Sequence, residues 1–192
     1  MLAAVPGASH AQAQGAASGH GWTAADVHFL TGMIPHHAQA IAMARWAPTH
    51  GASPALRTLA ARIINAQQDE IALMQQWLRE HGQPVPDARS TAMPVMMHGG
   101  AREMLMPGML TAEQMRQLDQ ARAAEFDRLF LTFMIQHHRG ALTMVQQLFA
   151  TNGAGQDNMV FKLASDINVD QATEVARMRQ MLAALVFDAP SP

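Results

Sequence analysis

The stretch DVHFLTGMIPHH at residues 26–37 decides the fold of this chain, because it returns as DRLFLTFMIQHH at residues 127–138. Over the longer segments 26–44 and 127–145, 10 of 19 positions are identical. A duplicated apolar core has a packing reason to keep leucine and isoleucine, but none to keep a His-His pair twice. The identities include residue types that hold soft and borderline metals, namely Asp26/Asp127, Met33/Met134, His36/His137, His37/His138 and Met43/Met144. The repeat therefore predicts duplicated chemistry with a metal ion as partner.

The composition favours helices and excludes several classes of site. Of 192 residues, 49% are apolar, mostly alanine, leucine and methionine, and 5% are aromatic, which predicts an all-α chain. The net charge is −2 and the basic residues are scattered, so no nucleic-acid surface is expected. Cysteine is absent, which excludes disulfides, iron–sulfur clusters and thiolate zinc sites. No stretch of sequence is long and apolar enough to span a bilayer.

Capping signals and helix breakers divide the chain into four helical stretches. The first follows Thr23, a predicted N-cap, and ends near Ala47, with Pro35 expected to kink it. The second begins at Ser53-Pro54 and ends near Glu80. The third opens with a capping box at 111–114, is either continuous or broken near 123–125, and ends at 152–153. The fourth covers about 157–187.

The second helices of the two halves also correspond, now at an offset of 104, with Gln67, Glu70 and Met74 matching Gln171, Glu174 and Met178. Each repeat is therefore a helical hairpin, and two hairpins with complementary apolar faces predict a four-helix bundle with pseudo-twofold symmetry. The predicted organisation is a disordered leader or partial signal peptide at 1–21, a first hairpin at 22–82, an irregular Pro/Gly/Met-rich linker at 83–110 and a second hairpin at 111–188. Residues 22–188 would form one bundle domain.

The N-terminal residues predict export. Ala11-Gln12-Ala13 fits the pattern of a signal-peptidase site after a short apolar run, although the basic segment that usually comes first is missing. A start codon assigned too far downstream, or a merely disordered leader, would account for that departure. The expected location is the periplasm or the exterior, and the absence of thiols suits an oxidising compartment.

The candidate ligands fall on one stripe of the first helix and on its copy. At about 100° per residue, Asp26, Met33 and His37 share a stripe that His36 and Met43 flank. The predicted metal ligands are Met33, His36, His37, Met43, Met134, His137, His138 and Met144, with Asp26, Glu70, Met74, Asp127, Glu174 and Met178 as further ligands or supporting groups. A structural alternative remains: the aspartates would favour helix N-termini, and the histidines would hydrogen-bond to Glu70 and Glu174.

The donor set indicates copper. Thioether together with imidazole selects Cu(I), whereas zinc prefers thiolate or carboxylate, and the Glu-x-x-His motif of di-iron bundles does not occur in the sequence. The linker adds Met93, Met96, Met97, His98, Met104, Met106 and Met109 within 17 residues. These are interpreted as capture ligands for Cu(I) or Ag(I), or alternatively as a flap over the bundle. The histidines without repeat partners, His10, His20, His28, His50 and His81, are expected at the surface.

These motifs resemble a bacterial family catalogued as domain of unknown function 305 and grouped with ferritin-like four-helix bundles. The resemblance rests on Met33-Ile34-Pro35-His36-His37, its copy at 134–138 and the lead-in at 106–109, and it covers about residues 24–185. It implies an exported copper-binding protein of metal-resistance loci that holds Cu(I) through Met and His. Two departures, Gln39 where the second copy has Gly140 and Gln136 in place of a proline, suggest that the two repeats differ in affinity or that one is vestigial.

The sequence therefore predicts a periplasmic protein, not an enzyme, that sequesters or transfers Cu(I), with a metal ion and a further copper-handling protein as partners. Two other interpretations stay open at this point. One is a ferritin-like redox enzyme with a carboxylate–histidine site. The other is a structural bundle without metal.

Overall fold

A computed structural model describes residues 21–91, 93–97 and 100–187 of the chain. Its helices and strands are α1 (Ala24–Arg45), α2 (Pro54–Glu80), β1 (Met93–Met97), β2 (Gly100–Met104), α3 (Ala112–Gln120), α4 (Ala123–Ala150) and α5 (Asn158–Phe187). The long helices form two hairpins, α1 with α2 and α4 with α5, which meet through α1 and α4. This arrangement confirms the all-α, ferritin-like four-helix bundle. Among the described helices, none has the length and apolarity to cross a membrane. Residues 1–20 of the predicted leader at 1–21, and His98, lie outside the described residues.

The predicted capping residues lie at the starts of the helices. The Thr23 hydroxyl accepts a hydrogen bond from the Ala25 amide, and the Asp26 carboxylate accepts one from the Thr23 amide at 2.7 Å. Ser53 caps α2 through the Leu56 amide, with proline at the first helical position. These side chains satisfy amide groups that a helix N-terminus leaves without partners, so the chain enters each hairpin in a fixed direction.

Two buried aspartates join the repeats reciprocally. Asp26, at the start of α1, accepts a hydrogen bond from the amide of Gly155 in the α4–α5 loop at 2.7 Å. Asp127, near the start of α4, accepts from the amide of Ser53 in the α1–α2 loop at 3.2 Å. The start of α1 contacts the loop that follows α4, and the start of α4 contacts the loop that follows α1. The two helices are therefore antiparallel. These contacts favour the structural alternative for both aspartates, since their oxygens already bind backbone amides.

The linker is not irregular throughout, which corrects the sequence prediction. Strands β1 and β2 pair antiparallel from Met93 opposite Met104 to Met97 opposite Gly100. Pro94 and the neighbouring glycines suggested a loop, but a two-stranded sheet has only edge strands, and an edge strand tolerates a proline. The structure gives the backbone of β1, while the side chains of Met93, Met96 and Met97 lie outside its description.

The third helical stretch is broken at residues 121–122, slightly before the expected position. The short α3 ends at Gln120, and Ala123 begins α4 with a positive φ of 51°. The Ala123 amide donates to the His50 carbonyl at 2.8 Å. The His50 ring is 5% exposed, and its Nε2 lies 2.9 Å from the Asp119 carbonyl. The expectation that His50 lies at the surface was therefore wrong, because periodicity within one helix does not reveal what a later segment covers.

Candidate metal centre

Four buried histidines meet where α1 crosses α4. The rings of His36 and His137 lie 3.8 Å apart between centroids, and each ring lies about 6 Å from its own neighbour, His37 or His138 (6.3 and 6.2 Å). All four side chains are fully buried. We call His36 and His137 the inner pair, and His37 and His138 the outer pair. The structure thus brings together the histidines that the sequence repeat singled out.

The outer pair is oriented by carboxylates of the neighbouring helices. His37 Nε2 lies 2.6 Å from a Glu70 oxygen on α2, and His138 Nε2 lies 2.7 Å from a Glu174 oxygen on α5. An ionised carboxylate only accepts, so each Nε2 carries the proton and donates it. The Nδ1 atoms of both rings are buried and have no partner among the described residues. This pattern matches the structural alternative, but it also leaves each Nδ1 without a protein partner among the described residues.

The inner pair is held neutral by its surroundings. Burial, and secondarily the charge of His37, lowers the pKa of His36 from 6.5 to about 3. Burial, and next the charge of His36, lowers the pKa of His137 well below 6.5. His36 Nε2 donates to the Pro107 carbonyl at 3.0 Å, which leaves its Nδ1 without a partner in the described part. Neither ring nitrogen of His137 forms a hydrogen bond of good geometry there, although a backbone group of His36 lies close enough to oppose part of the lowering of its pKa. Leaving such polar atoms unpaired costs about 1–3 kcal/mol each unless a ligand takes them up.

The methionines that were predicted as ligands within one repeat do not lie together in the structure. Met33 and Met43 are ten residues apart on α1 and so about 15 Å apart along its axis, which is too far for one ion. Met33 shares an apolar cluster with Met144, and Met43 shares the other cluster with Met134. The four ligands predicted within each repeat therefore do not form one site. Each of the two apolar clusters thus combines thioethers from opposite repeats, with Met74 in the first cluster and Met178 in the second.

The segment 106–110 of the linker crosses the histidines. Met106 and Met109 are buried, whereas Met104 is 44% exposed. A Cβ on Gly140 would lie 1.9 Å from the Pro107 carbonyl oxygen, so only glycine permits this approach. On the opposite helix, Gln39 holds the Leu110 amide at 2.7 Å and its carbonyl at 3.0 Å.

This crossing gives one departure in the repeat, Gln39 where the second copy has Gly140, a physical reason. Gln39 anchors segment 106–110, and Gly140 makes room for it. The flap interpretation of the linker therefore applies to this part. Met93, Met96, Met97 and His98 remain predicted capture ligands, because their side chains lie outside the described part.

The family model described as "Domain of unknown function (DUF305)" matches residues 26–182. The chain belongs to the DUF305 family. Solved structures of similar fold include a DUF305 protein of Streptomyces coelicolor, described as a candidate secreted protein, with a TM-score of 0.70 and 27% identity over 84% of this chain and 93% of that one. A DUF305 fragment from Deinococcus radiodurans has a TM-score of 0.69 and 27% identity over 85% of this chain and 98% of that one.

A third similar structure is a protein named CopM in its Cu(I)-bound form, with 30% identity and a TM-score of 0.62 over 85% of this chain and 97% of CopM. CopM has also been solved in Cu(II)-bound and Ag-bound forms. An uncharacterized protein of Acanthamoeba polyphaga mimivirus is 44% identical over 55 residues, which span only 36% of that protein. Copper and silver binding thus occurs among the structural neighbours of this DUF305 chain.

The donor chemistry of this DUF305 protein fits a soft monovalent metal better than a hard divalent one. Among the described residues, no three His, Asp or Glu side chains are placed to hold one metal ion together. A carboxylate–histidine centre of the di-iron type is therefore not preformed there. The same bundle holds buried imidazole nitrogens without partners among the described residues and buried methionines, and thioether with imidazole is in general a donor set that favours Cu(I).

Two glutamines were also not proposed as site residues, although the sequence places them on the same face as Glu70 and Glu174. Gln67 and Gln171 are almost fully buried, and their amide groups have no partner among the described residues. With Glu70, Glu174 and Asp170 they line a cavity of about 160 Å³ between α2 and α5. Burial, followed by the charges of Glu70 and Glu174, raises the pKa of Asp170.

Proposed function

We propose that this DUF305 protein is an exported copper-binding protein that sequesters or transfers Cu(I), and Ag(I) by the same donors, without turnover. The observation that carries the proposal is the state of the buried histidine nitrogens. His36, His37 and His138 each have Nε2 bound to an oxygen and Nδ1 free. Metal-binding histidines share this arrangement, in which the second nitrogen donates to a carbonyl or carboxylate and fixes the ring.

Neutral imidazole is the form that binds a metal, and the site supplies it in advance. Binding usually has to displace protons from histidine, but the low pKa of His36 and His137 means that these rings carry no extra proton near neutral pH. Thioethers of Met33 and Met144 on one side, and of Met43 and Met134 on the other, add soft donors. The copper-bound and silver-bound forms of CopM support the same metal class.

A location outside the cytoplasm is part of the proposal. Its supports are the leader-like N-terminal sequence, the absence of cysteine and the description of the Streptomyces coelicolor relative. A fusion of residues 1–21 to a reporter that is active only after export should direct the reporter across the membrane. A reporter retained inside the cell would contradict the localisation and leave metal binding untouched.

Metal selectivity tests the central claim. The full chain, incubated anaerobically with equal amounts of Cu(I), Ag(I), Fe(II) and Zn(II) and then desalted, should retain copper or silver and exclude the others. Two irons per chain with oxidase activity would instead support a ferritin-like redox enzyme. Retention of no metal at all would support a purely structural bundle.

A further inference from the structure

A small pocket opens beside the N-terminal half of α1 and the C-terminal half of α4, away from the buried histidines. Its volume is about 80 Å³, and its lining includes His28, Met106 and Met144. That space accommodates an ion with one or two waters, but it is far below the roughly 300 Å³ of an ordinary small-molecule site. One imidazole and two thioethers therefore face a cavity of ionic size.

Gly32 brings the two thioethers together. A Cβ at this position would lie 2.7 Å from Cε of Met106, 3.4 Å from its sulfur and 3.5 Å from Cε of Met144. Any side chain larger than hydrogen would push Met106 aside. A methionine of the linker and a methionine of α4 thus converge over one residue of α1.

The second repeat lacks two of the residues that shape this pocket. At the positions of His28 and Gly32 it has Leu129 and Phe133, so it lacks both the imidazole and the space. The Phe133 ring is itself largely buried. The pocket is therefore specific to one end of the pseudo-symmetric bundle.

The donors of this pocket extend from solvent towards the histidine centre. His28 is exposed, whereas Met106 and Met144 are 7% and 4% exposed. Met106 directly precedes Pro107, whose carbonyl holds His36, and Met144 shares its apolar cluster with Met33. An ion bound in the pocket is therefore one ligand exchange away from donors next to the inner pair.

We infer that His28, Met106 and Met144 form an entry site for Cu(I), which passes the ion to the buried histidines. This inference rests on the proposed function and adds a second, solvent-facing site to it. The ion keeps its single positive charge throughout, and only its ligands change. Imidazole with two thioethers is a donor set that selects Cu(I) over divalent ions.

A titration of the full chain with Ag(I) tests the entry site, because Ag(I) shares the donor preference of Cu(I) and is not oxidised by air. With methionine methyl groups labelled with ¹³C, the Met106 and Met144 signals should shift together before one equivalent is reached. Peaks are assigned from single Met-to-Leu variants, which conserve side-chain volume. The His28 ring signals should shift at the same ratio of silver to protein.

Three variants give the expected magnitudes. Met106→Leu and His28→Leu should each weaken binding at the first Ag(I) site at least tenfold. His28→Leu introduces the residue type that the second repeat has at this position. Gly32→Ala should also weaken it, although no donor is removed, because the new Cβ displaces Met106. Met115→Leu, at a half-buried position on α3, is the matched control and should leave the titration unchanged.

The outcomes separate the entry site from the proposed function. If signals of the buried histidines and of Met33 shift first while Met106 and Met144 stay fixed, the entry site is wrong and the proposed function stands. If no methionine or histidine signal responds to Ag(I), both are wrong. Unchanged affinity in His28→Leu, with folding verified by circular dichroism, would also overturn the three-residue site.

Discussion

The inner and outer histidine pairs are adjacent in sequence, yet their protons are controlled in opposite ways. The Nε2–H groups of His37 and His138 donate hydrogen bonds to Glu70 and Glu174, which favour the tautomer with the proton on Nε2. In the inner pair, burial and the neighbouring ring charges exclude the second proton altogether. Neighbouring residues on a helix point about 100° apart, so one ring faces the partner repeat and the other faces its own hairpin. A single His-His dipeptide thereby places two imidazoles in two different electrostatic environments.

The largest expected effect is a loss of stability in acid that comes from the inner pair. The unfolded chain protonates a histidine near pH 6.5, whereas folded His36 does so only near pH 3. Between these values the unfolded state binds more protons, so stability is intact above pH 6.5 and falls as the pH drops. A histidine that stays unprotonated in the folded state contributes a slope of about 1.4 kcal/mol per pH unit, or roughly 3 kcal/mol over two units for His36. The lowered pKa of His137 adds to the loss in the same direction. Urea unfolding of the metal-free protein from pH 7 to 4.5 measures it.

The double variant His36→Leu/His137→Leu is the control for that slope. It should flatten the pH dependence between 6.5 and 4.5, because both depressed groups are gone. A slope equal to that of the wild type would assign the acid sensitivity to other groups, and the inner pair would then not be the source.

The second prediction concerns copper affinity. The same inner-pair variant should bind Cu(I) at least 100-fold more weakly, or about 2.7 kcal/mol, while its helix content stays unchanged. The variant removes unpaired ring nitrogens, but it also strands the Pro107 carbonyl that His36 binds, so the free energy of unfolding near neutral pH should change by no more than about 1–3 kcal/mol. Competition with a coloured Cu(I) chelator gives the affinity, and an undiminished value would remove the inner pair from the centre.

The third prediction concerns the two glutamates that orient the outer pair. Glu70→Ala and Glu174→Ala should each lower Cu(I) affinity about tenfold, because the histidine loses the acceptor that orients it. Each should also lower the free energy of unfolding by about 1–3 kcal/mol. Glu80→Ala, at an exposed position on the same helix, is the control and should change stability by less than about 0.5 kcal/mol. Equal effects of Glu70 and Glu80 would contradict the orienting role.

The smallest expected effect belongs to a buried histidine outside the centre. His50→Leu should lower the free energy of unfolding by about 1 kcal/mol, because the hydrogen bond to the Asp119 carbonyl is lost. Cu(I) affinity should not change, which chelator competition can verify. A fall in affinity as large as that of the inner-pair variant would mean that general destabilisation, not ligand loss, explains the earlier results.

The sequence predicted those parts of the fold that follow from local chemistry. Thr23 and Ser53 begin helices because their side chains satisfy nearby amides, and the spacing of Met33 and His37 defines one helix face. It did not predict that Met33 would share a cluster with Met144 instead of Met43. Periodicity fixes the direction of a side chain on its own helix, but not the height at which a second helix crosses it.

The linker shows the same limit. Proline and glycine indicate where regular structure is interrupted, so residues 83–110 were expected to be irregular. The covering of the histidines by 106–110 depends on the space that Gly140 leaves and on the hydrogen bonds from Gln39, contacts between residues distant in sequence. The burial of His50 by α3 and the following turn has the same cause.

The reciprocal bonds of Asp26 and Asp127 have a consequence for unfolding. The loop of each hairpin has one backbone amide whose acceptor belongs to the other hairpin. The Gly155 amide donates to Asp26, and the Ser53 amide donates to Asp127. Opening either hairpin alone would strand a buried carboxylate, so partly open forms lie well above the native state in free energy. We therefore expect one cooperative transition for the whole bundle, without a stable half. A bound ion would then be released by ligand exchange through the native structure, and not by melting of one repeat.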